Sequence, residues 1–336
     1  MIKVGVIRGG ISSEYPVSLA TGEHVLSHLR GDELNNKYKT IDILITKDGT
    51  WHINGFPMRS LEELHNKVDV VFNALHGDFG EDGKIQQMLD QWNIPYTGSS
   101  AFASALGYNK NLSKEYFNNL GIKTPRHFYV PAYDESVDGE KTKYALKVAK
   151  FIWEKMPAPW IVKPVSGGSS MGIHVCKTFN SLVFAFEMGI IEGVNVLVEE
   201  MIEGREATVG VLEGFRGQDL YAFPSVEIRL PQEKTHFDYE AKYQGMSQEI
   251  CPGNFSFEEK KELESLAKQI HKGLGLDHYS RTDFIIHPKK GIYAIEVNTL
   301  PGLTKESLLP KAINAIGSSM VEFLDHLLTI SLNKKQ

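Results

Sequence analysis

The chain has 336 residues, 42% of them hydrophobic and 23% charged, an ordinary globular composition that excludes a disordered chain and predicts two or three domains. Lys plus Arg number 36 against 42 for Asp plus Glu, and the net charge of -6 gives no electrostatic reason to bind nucleic acid or an anionic membrane broadly. No apolar run approaches the ~18 residues of a membrane span. The opening Met1–Ile7 is too short for a signal segment, and Cys176 and Cys251 form no paired motif, so a cytoplasmic location is expected.

Lys3–Ile7 reads as a first strand running into a Gly turn, followed by a helix from about Val17 to Arg30 and a strand over Tyr38–Thr46. A strand over Val68–Leu75, a polar loop His76–Asp82 and a helix over Lys84–Trp92 continue the alternation. It predicts a parallel, doubly wound sheet over residues 1–100, with Tyr96–Ser100 as the junction. Two helices follow, the second stopped at Gly121. A polar stretch over 131–141 precedes a helix over Thr142–Lys155, which Pro157 and Pro159 end. From Trp160 the pattern turns to strands, near 160–164, 172–177, 194–200, 206–213 and 220–228. A charged loop over 229–252, a helix over 256–273, a hairpin over 279–298 and closing helices complete the chain.

Several segments could carry chemistry. Lys163 ends a strand and leads into Ser166-Gly167-Gly168-Ser169-Ser170, where glycines let backbone N–H groups converge on an anion and hydroxyls add donors. No GK[ST] closes the loop, so it is not a Walker loop, and a flexible hairpin loop is the alternative. In the hairpin, centring the turn on Lys289-Lys290 places Asp283 opposite Glu296 and Arg281 opposite Asn298, all on one face. The other face then carries Phe284, Ile286, Tyr293, Ile295 and Val297. Two facing carboxylates repel unless something positive lies between them; a magnesium ion held by Asp283, Glu296 and Asn298 fits, with Arg281 left for substrate. The alternative is a carboxylate that simply pairs with Arg281. Val194–Glu206 reads as a buried strand running into an acidic linker and a Gly turn, by itself a weak signal that a solvated turn explains, and the loop at His76 ends a strand of the first sheet, where ligands gather. Gly9-Gly10-Ile11-Ser12-Ser13-Glu14 lacks GxGxxG. His24 and His28, without HExxH, read as surface helix residues.

In this order, GGISSEYPVS, ALHGDFGEDG, YTGSSAFASALGYNK, IVKPVSGGSSMGI, VLVEEMIEGREATV, FDYEAKYQ, RTDF and IEVNTLPGLTKESLLP resemble the D-alanine–D-alanine ligase family of the ATP-grasp superfamily. The resemblance covers nearly the whole chain. It implies an α/β and α+β ATP-grasp fold, with an N-terminal parallel α/β substrate domain over 1–100, a small central α+β lobe over 101–193 and a larger C-terminal α+β catalytic lobe over 194–336. By the same resemblance Lys110 and Lys163 hold phosphate, with Lys242 on a closing loop. Glu199, Met201 and Ile202 form the adenine hinge, and Glu206 contacts ribose. Asp283, Glu296 and Asn298 are metal ligands for two magnesium ions, for which manganese could substitute. Glu14 receives the ammonium of the first D-alanine beside His76, and Tyr243 links with Ser169 and Glu14. Arg281 and the Gly302 N–H are oxyanion donors, while Ser307 and Leu308 seat the second carboxylate.

The implied reaction joins two D-alanine molecules through an acyl phosphate, with ADP and phosphate released, for peptidoglycan precursors. D-alanine is then the small-molecule partner, with neither nucleic acid nor membrane involved and a homodimer left open. Rival readings are a ligase with D-serine or D-lactate as second substrate, or a non-catalytic nucleotide-binding homologue, against which the intact Arg281, Asp283, Glu296 and Asn298 speak. Tyr243, neutral near pH 7, favours dipeptide over ester synthesis, because a cationic His there would favour lactate and repel an ammonium. Arg8, Tyr15-Pro16 and Val165-Ser166-Gly167 depart from the usual family residues, the first two beside the expected substrate pocket, and the linker around 131–160 is longer than in compact members.

Overall fold

The computed structural model describes residues 1–60, 62–168, 172–229 and 248–333. Ser169, Lys242 and Tyr243 lie outside the described residues. The strands form three sheets. In the first, β1 (Ile2–Gly9), β2 (Tyr38–Ile45), β3 (Trp51–Ile53), β4 (Phe56–Pro57) and β5 (Val70–Asn73) run in the order β4-β3-β2-β1-β5. β1 is parallel to both β2 and β5, as the alternating pattern predicts, whereas the short β3 and β4 add an antiparallel edge that the pattern does not signal.

Strand alternation gives the parallel core two apolar faces. Val4 and Val6 pack with Val25, Leu26 and Leu29 of the helix Tyr15–Leu29, and with Leu324, Leu327 and Leu328 of the last helix, Met320–Asn333. Ile7 faces the other way, onto Ile43, Ile85 and Leu89. The final helix is thus part of the first sheet's core, pinned further by Tyr38, which donates to Asp325 at 2.7 Å.

The central sheet contains β6 (His127–Val130), β7 (Trp160–Pro164), β8 (His174–Cys176) and β9 (Val196–Glu200), in the order β6-β9-β7-β8. Helices Lys141–Lys155 and Phe179–Glu192 cover one face, over Trp160, Val162, Val196 and Val198. Ile161, Lys163 and Glu199 alternate onto the opposite face. A division at 193/194 does not match this sheet: β9 is hydrogen-bonded between β6 and β7 and cannot leave them.

The third sheet is antiparallel: β10 (Arg205–Glu213), β11 (Leu220–Ala222), β12 (Val226–Arg229), β13 (Gln248–Ile250), β14 (Tyr279–His287) and β15 (Gly291–Asn298), ordered β13-β12-β10-β14-β15 with β11 beside β10. The single strand expected over 220–228 is broken between β11 and β12, where Pro224 has no N–H to give a ladder. The helix Phe257–Gly273 backs this sheet through Leu263, Ala267 and Ile270. Ala103 and Leu106 of the helix Ala101–Tyr108, and Phe117 of Lys110–Asn119, join the same core, so chain order assigns these two helices to the wrong lobe. Among the described residues, no helix is long and apolar enough to cross a membrane.

Candidate active site

Two cavities meet at the cleft face of the third sheet. Glu14, His76, Arg281, Gly302, Ser307 and Leu308 line one, together with Asn298, Gly168 and Glu249. Lys163, Glu199, Met201, Ile202, Glu206 and Asp283 line the other. Glu296 lines both. The fold therefore gathers residues separated by nearly the whole chain into two adjoining chambers.

Glu14 reaches the first cavity because it ends the loop after β1 and stands at the N-cap of Tyr15–Leu29 without using its side chain as a cap. Gly9 and Gly10, at φ of +90° and +97°, make the turn that lets the chain leave the sheet there. Across from it the polar loop at His76 is largely buried, with His76 and Glu81 inside and Asp78 exposed. The reason is a closed polar set. His76 Nε2 lies 2.9 Å from Thr21 Oγ1, its Nδ1 3.4 Å from Glu81 Oε1, and the Gly77 N–H donates to that same oxygen at 3.1 Å. Each buried polar group has a partner, so burial is tolerable.

At the far wall, the helix Leu308–Ala315 begins at Ser307. The Ser307 hydroxyl does not cap it but turns back to Thr304, accepting its N–H at 3.0 Å. The helix N-terminus thus faces the cavity as a seat suited to a carboxylate. Gly302 is needed close by, since a Cβ there would stand 2.9 Å from Ser307 Oγ. Arg8, in contrast, is turned away from the cavity: its guanidinium bonds Asp42 at 2.8 and 2.7 Å and pairs with Glu23. It belongs to the sheet surface and does not shape the substrate pocket.

In the second cavity Lys163 Nζ lies 3.0 Å from Glu199 Oε1 and Lys114 Nζ lies 3.1 Å from the same atom. Burial alone would raise the Glu199 carboxyl, but the charges of Lys114 and Lys163 overcome it and hold Glu199 below the usual carboxylate range. Lys110 lines neither cavity but donates to the Gly167 carbonyl at 2.5 Å, next to Gly168 on the wall of the first. In the segment Val194–Glu206 the strand Val196–Glu200 is buried, Glu203–Arg205 form an exposed turn, and Glu199, Met201, Ile202 and Glu206 line the cavity on either side of it.

The hairpin pairs Asp283 with Glu296 and Arg281 with Asn298, as the spacing predicts, but not for the reason supposed. The turn is one residue longer, with His287 opposite Gly291, and a bulge between Asp283 and Phe284 restores the register: Phe284 faces Ala294. One residue of β15 is therefore extra, and the inward face near the turn is Ile292 and Ala294, both in the core, not Tyr293 and Ile295. Ile295 lines the second cavity instead.

Arg281 lines the first cavity and at the same time holds Asp283. Its Nε and Nη2 donate to both Asp283 oxygens at 2.9 and 3.0 Å, and Thr208 Oγ1 donates to Asp283 Oδ1 at 2.5 Å. Two positions apart on one strand, Arg281 and Asp283 share a face and meet. Among the described residues no group of three or more His, Cys, Asp and Glu side chains could hold a metal by itself. Two carboxylates and the Asn298 carboxamide are nonetheless the hard oxygen donors magnesium takes when phosphates complete its shell, so the donor set fits.

Sequence reasoning missed Lys114, Glu81, Thr21, Thr208 and Glu249. Lys114 follows Lys110 by one helical turn and Glu81 lies in a segment already singled out, but burial, the property that matters, is not written in either position.

A family model described as "D-ala D-ala ligase C-terminus" matches residues 118–329, and one described as "D-ala D-ala ligase N-terminus" matches residues 52–99. A D-alanine–D-alanine ligase of Halalkalibacterium halodurans is 36% identical over 338 residues, covering 99% of this chain and all of that protein. The structure of D-alanyl-alanine synthetase A from Vibrio cholerae is similar with a TM-score of 0.84 at 28% identity, covering 99% of this chain and 98% of that one. The VanG D-Ala:D-Ser ligase from Enterococcus faecalis is similar with a TM-score of 0.81 at 29% identity, covering 98% and 99%.

Proposed function

This chain belongs to the D-alanine–D-alanine ligase family, with its ATP-grasp fold, and from that premise we propose that it joins two D-alanine molecules through an acyl phosphate formed at the cost of ATP. ATP-dependent dipeptide ligation for cell-wall synthesis, with a divalent metal, is the activity of the family. The acyl phosphate, D-alanine in both subsites and the roles of individual residues are the finer reading. The observation that carries it is Glu296, which lines both chambers and so marks where nucleotide phosphate and amino-acid carboxylate would meet.

In this reading Lys110 and Lys163 bind phosphate, Glu199, Met201 and Ile202 border adenine, and Glu206 holds ribose. Asp283, Glu296 and Asn298 would hold magnesium, which supplies charge neutralisation to the phosphates. Glu14 takes the ammonium of the first D-alanine, with His76 beside it. The carboxylate oxygen of that D-alanine attacks the γ-phosphorus; the new P–O bond forms as the bond to the bridging oxygen breaks and ADP leaves. The amine of the second D-alanine, having lost its proton, then attacks the acyl carbon, and phosphate departs with the bonding pair. Arg281 and the Gly302 N–H stabilise the oxyanion between these events, while Ser307 and Leu308 hold the second carboxylate. Tyr243, Ser169 and Lys242 are assigned to closure by family resemblance alone.

Incubation with magnesium, ATP and D-alanine should give ADP, phosphate and D-alanyl-D-alanine in equal amounts. The VanG neighbour keeps D-serine as a second reading for the acceptor. Direct competition among D-alanine, D-serine and D-lactate at pH 8 decides it, and a predominant mixed product would replace the dipeptide assignment.

A further inference from the structure

Lys114 is a cation with no exposed surface, one helical turn after Lys110, and it does not line either chamber. Its Nζ donates to Thr124 Oγ1 at 2.9 Å and lies 3.1 Å from Glu199 Oε1, the atom that Lys163 also reaches at 3.0 Å. Two ammonium groups thus share one buried carboxylate oxygen, and only Lys163 opens onto the nucleotide slot. Burial pushes the Lys114 amine down to about 8, Lys163 adds to this by like-charge repulsion, and Glu199 and Glu296 oppose it.

A buried carboxylate stripped of its partner is among the costliest arrangements a protein can hold. If Glu199 had Lys163 alone, moving Lys163 onto a phosphate would strand that charge. We propose that Lys114 is a positioning residue that keeps Glu199 neutralised, so that Lys163 can exchange Glu199 for the phosphates of ATP. The proposal rests on the reading of Lys163 as a phosphate-binding lysine. Without nucleotide, Glu199 holds both lysines, Lys163 at the slot and Lys114 sealed behind it; with nucleotide, Lys163 trades one anion for another and Lys114 loses a repelling neighbour.

Calorimetric titration of the full chain with magnesium and ATP tests this, alongside KM values for ATP and D-alanine. Lys114→Met should weaken ATP binding by about tenfold or more while the KM for D-alanine stays within about twofold, and Lys114→Arg should recover most of the loss. Glu199→Gln removes the charge that needs neutralising, so adding Lys114→Met to it should change ATP affinity by less than about threefold. That second comparison stands even if Lys114→Met alone fails to fold. A folded Lys114→Met that binds ATP like the wild type, or a double variant that binds about tenfold more weakly than Glu199→Gln, overturns the proposal. Failure of the wild type to bind ATP overturns the reading of the slot along with it, a result distinct from wild-type binding that survives in the variant.

Discussion

The carboxylate of Glu14 lies against the backbone of Gly168, where a Cβ would stand 2.7 Å from Oε2; a Cβ at Gly77 would stand 2.9 Å from the same oxygen. Glu14 leaves the first sheet and Gly168 follows β7 of the central sheet, so this contact spans the cleft between them. The absence of two side chains is what gives the Glu14 carboxylate its place.

Gly168→Ala should therefore displace Glu14 and raise the KM for D-alanine by roughly tenfold, with the ATP KM changed far less. Gly167→Ala is a useful contrast, because at φ +113° with open space around it the substitution strains the loop without touching Glu14. Steady-state kinetics with each substrate varied in turn separates the two. A Gly168→Ala enzyme with unaltered D-alanine KM would show that Glu14 does not receive the first substrate.

Glu296→Gln tests the meeting point of the two chambers. Halving the anionic charge of the Asp283–Glu296 pair should lower kcat by about a hundredfold or more and raise the magnesium concentration needed for half-maximal rate. The magnesium dependence is the informative measurement. Wild-type rate at low magnesium in this variant would remove Glu296 from the metal site.

Glu249 lines the first cavity, proposed above for the amino acids, and its carboxylate is paired at 2.5 Å with Lys311, on the helix that begins after Ser307. Lys311→Met leaves a carboxylate facing a substrate carboxylate, and the KM for the second D-alanine should rise about five- to tenfold. Glu249→Gln in the same chain should restore part of it. If the double variant is as impaired as Lys311→Met, charge at Glu249 is not the cause.

His24 is not the surface residue its helical spacing suggests: its Nδ1 lies 2.6 Å from the Leu303 carbonyl, in the loop that carries Gly302 and Ser307. Burial lowers its pKa, His28 and Lys305 lower it further, and the Leu303 bond opposes them. An unfolded His binds its proton near 6.5, the folded one only at lower pH, so stability from neutral His24 is full above about pH 6.5 and is lost as pH falls through the folded value. Melting temperature should fall from pH 7 to pH 5, and by less in His24→Gln. Equal falls in both proteins would assign the acid sensitivity to other groups.

Alternation was enough to read the parallel first sheet and the strand that carries Lys163, because these depend on local periodicity of two or on family motifs in order, whereas Asp283 faces Glu296 only because a bulge offsets a turn register that the spacing did not give. The inward face of the hairpin was not legible: a bulge of one residue exchanges Tyr293 and Ile295 for Ile292 and Ala294, and no residue type announces it. Lobe boundaries fail for a related reason, since β9 hydrogen-bonds back into the central sheet and Met320–Asn333 packs on the first, contacts between segments far apart in the chain. The charge partners of the site lie in the same category. That Arg281 is held by Asp283, and that Lys114 is sealed beside Glu199 and not solvated, is set by which neighbours tertiary packing brings within a few ångströms and by how much water it removes.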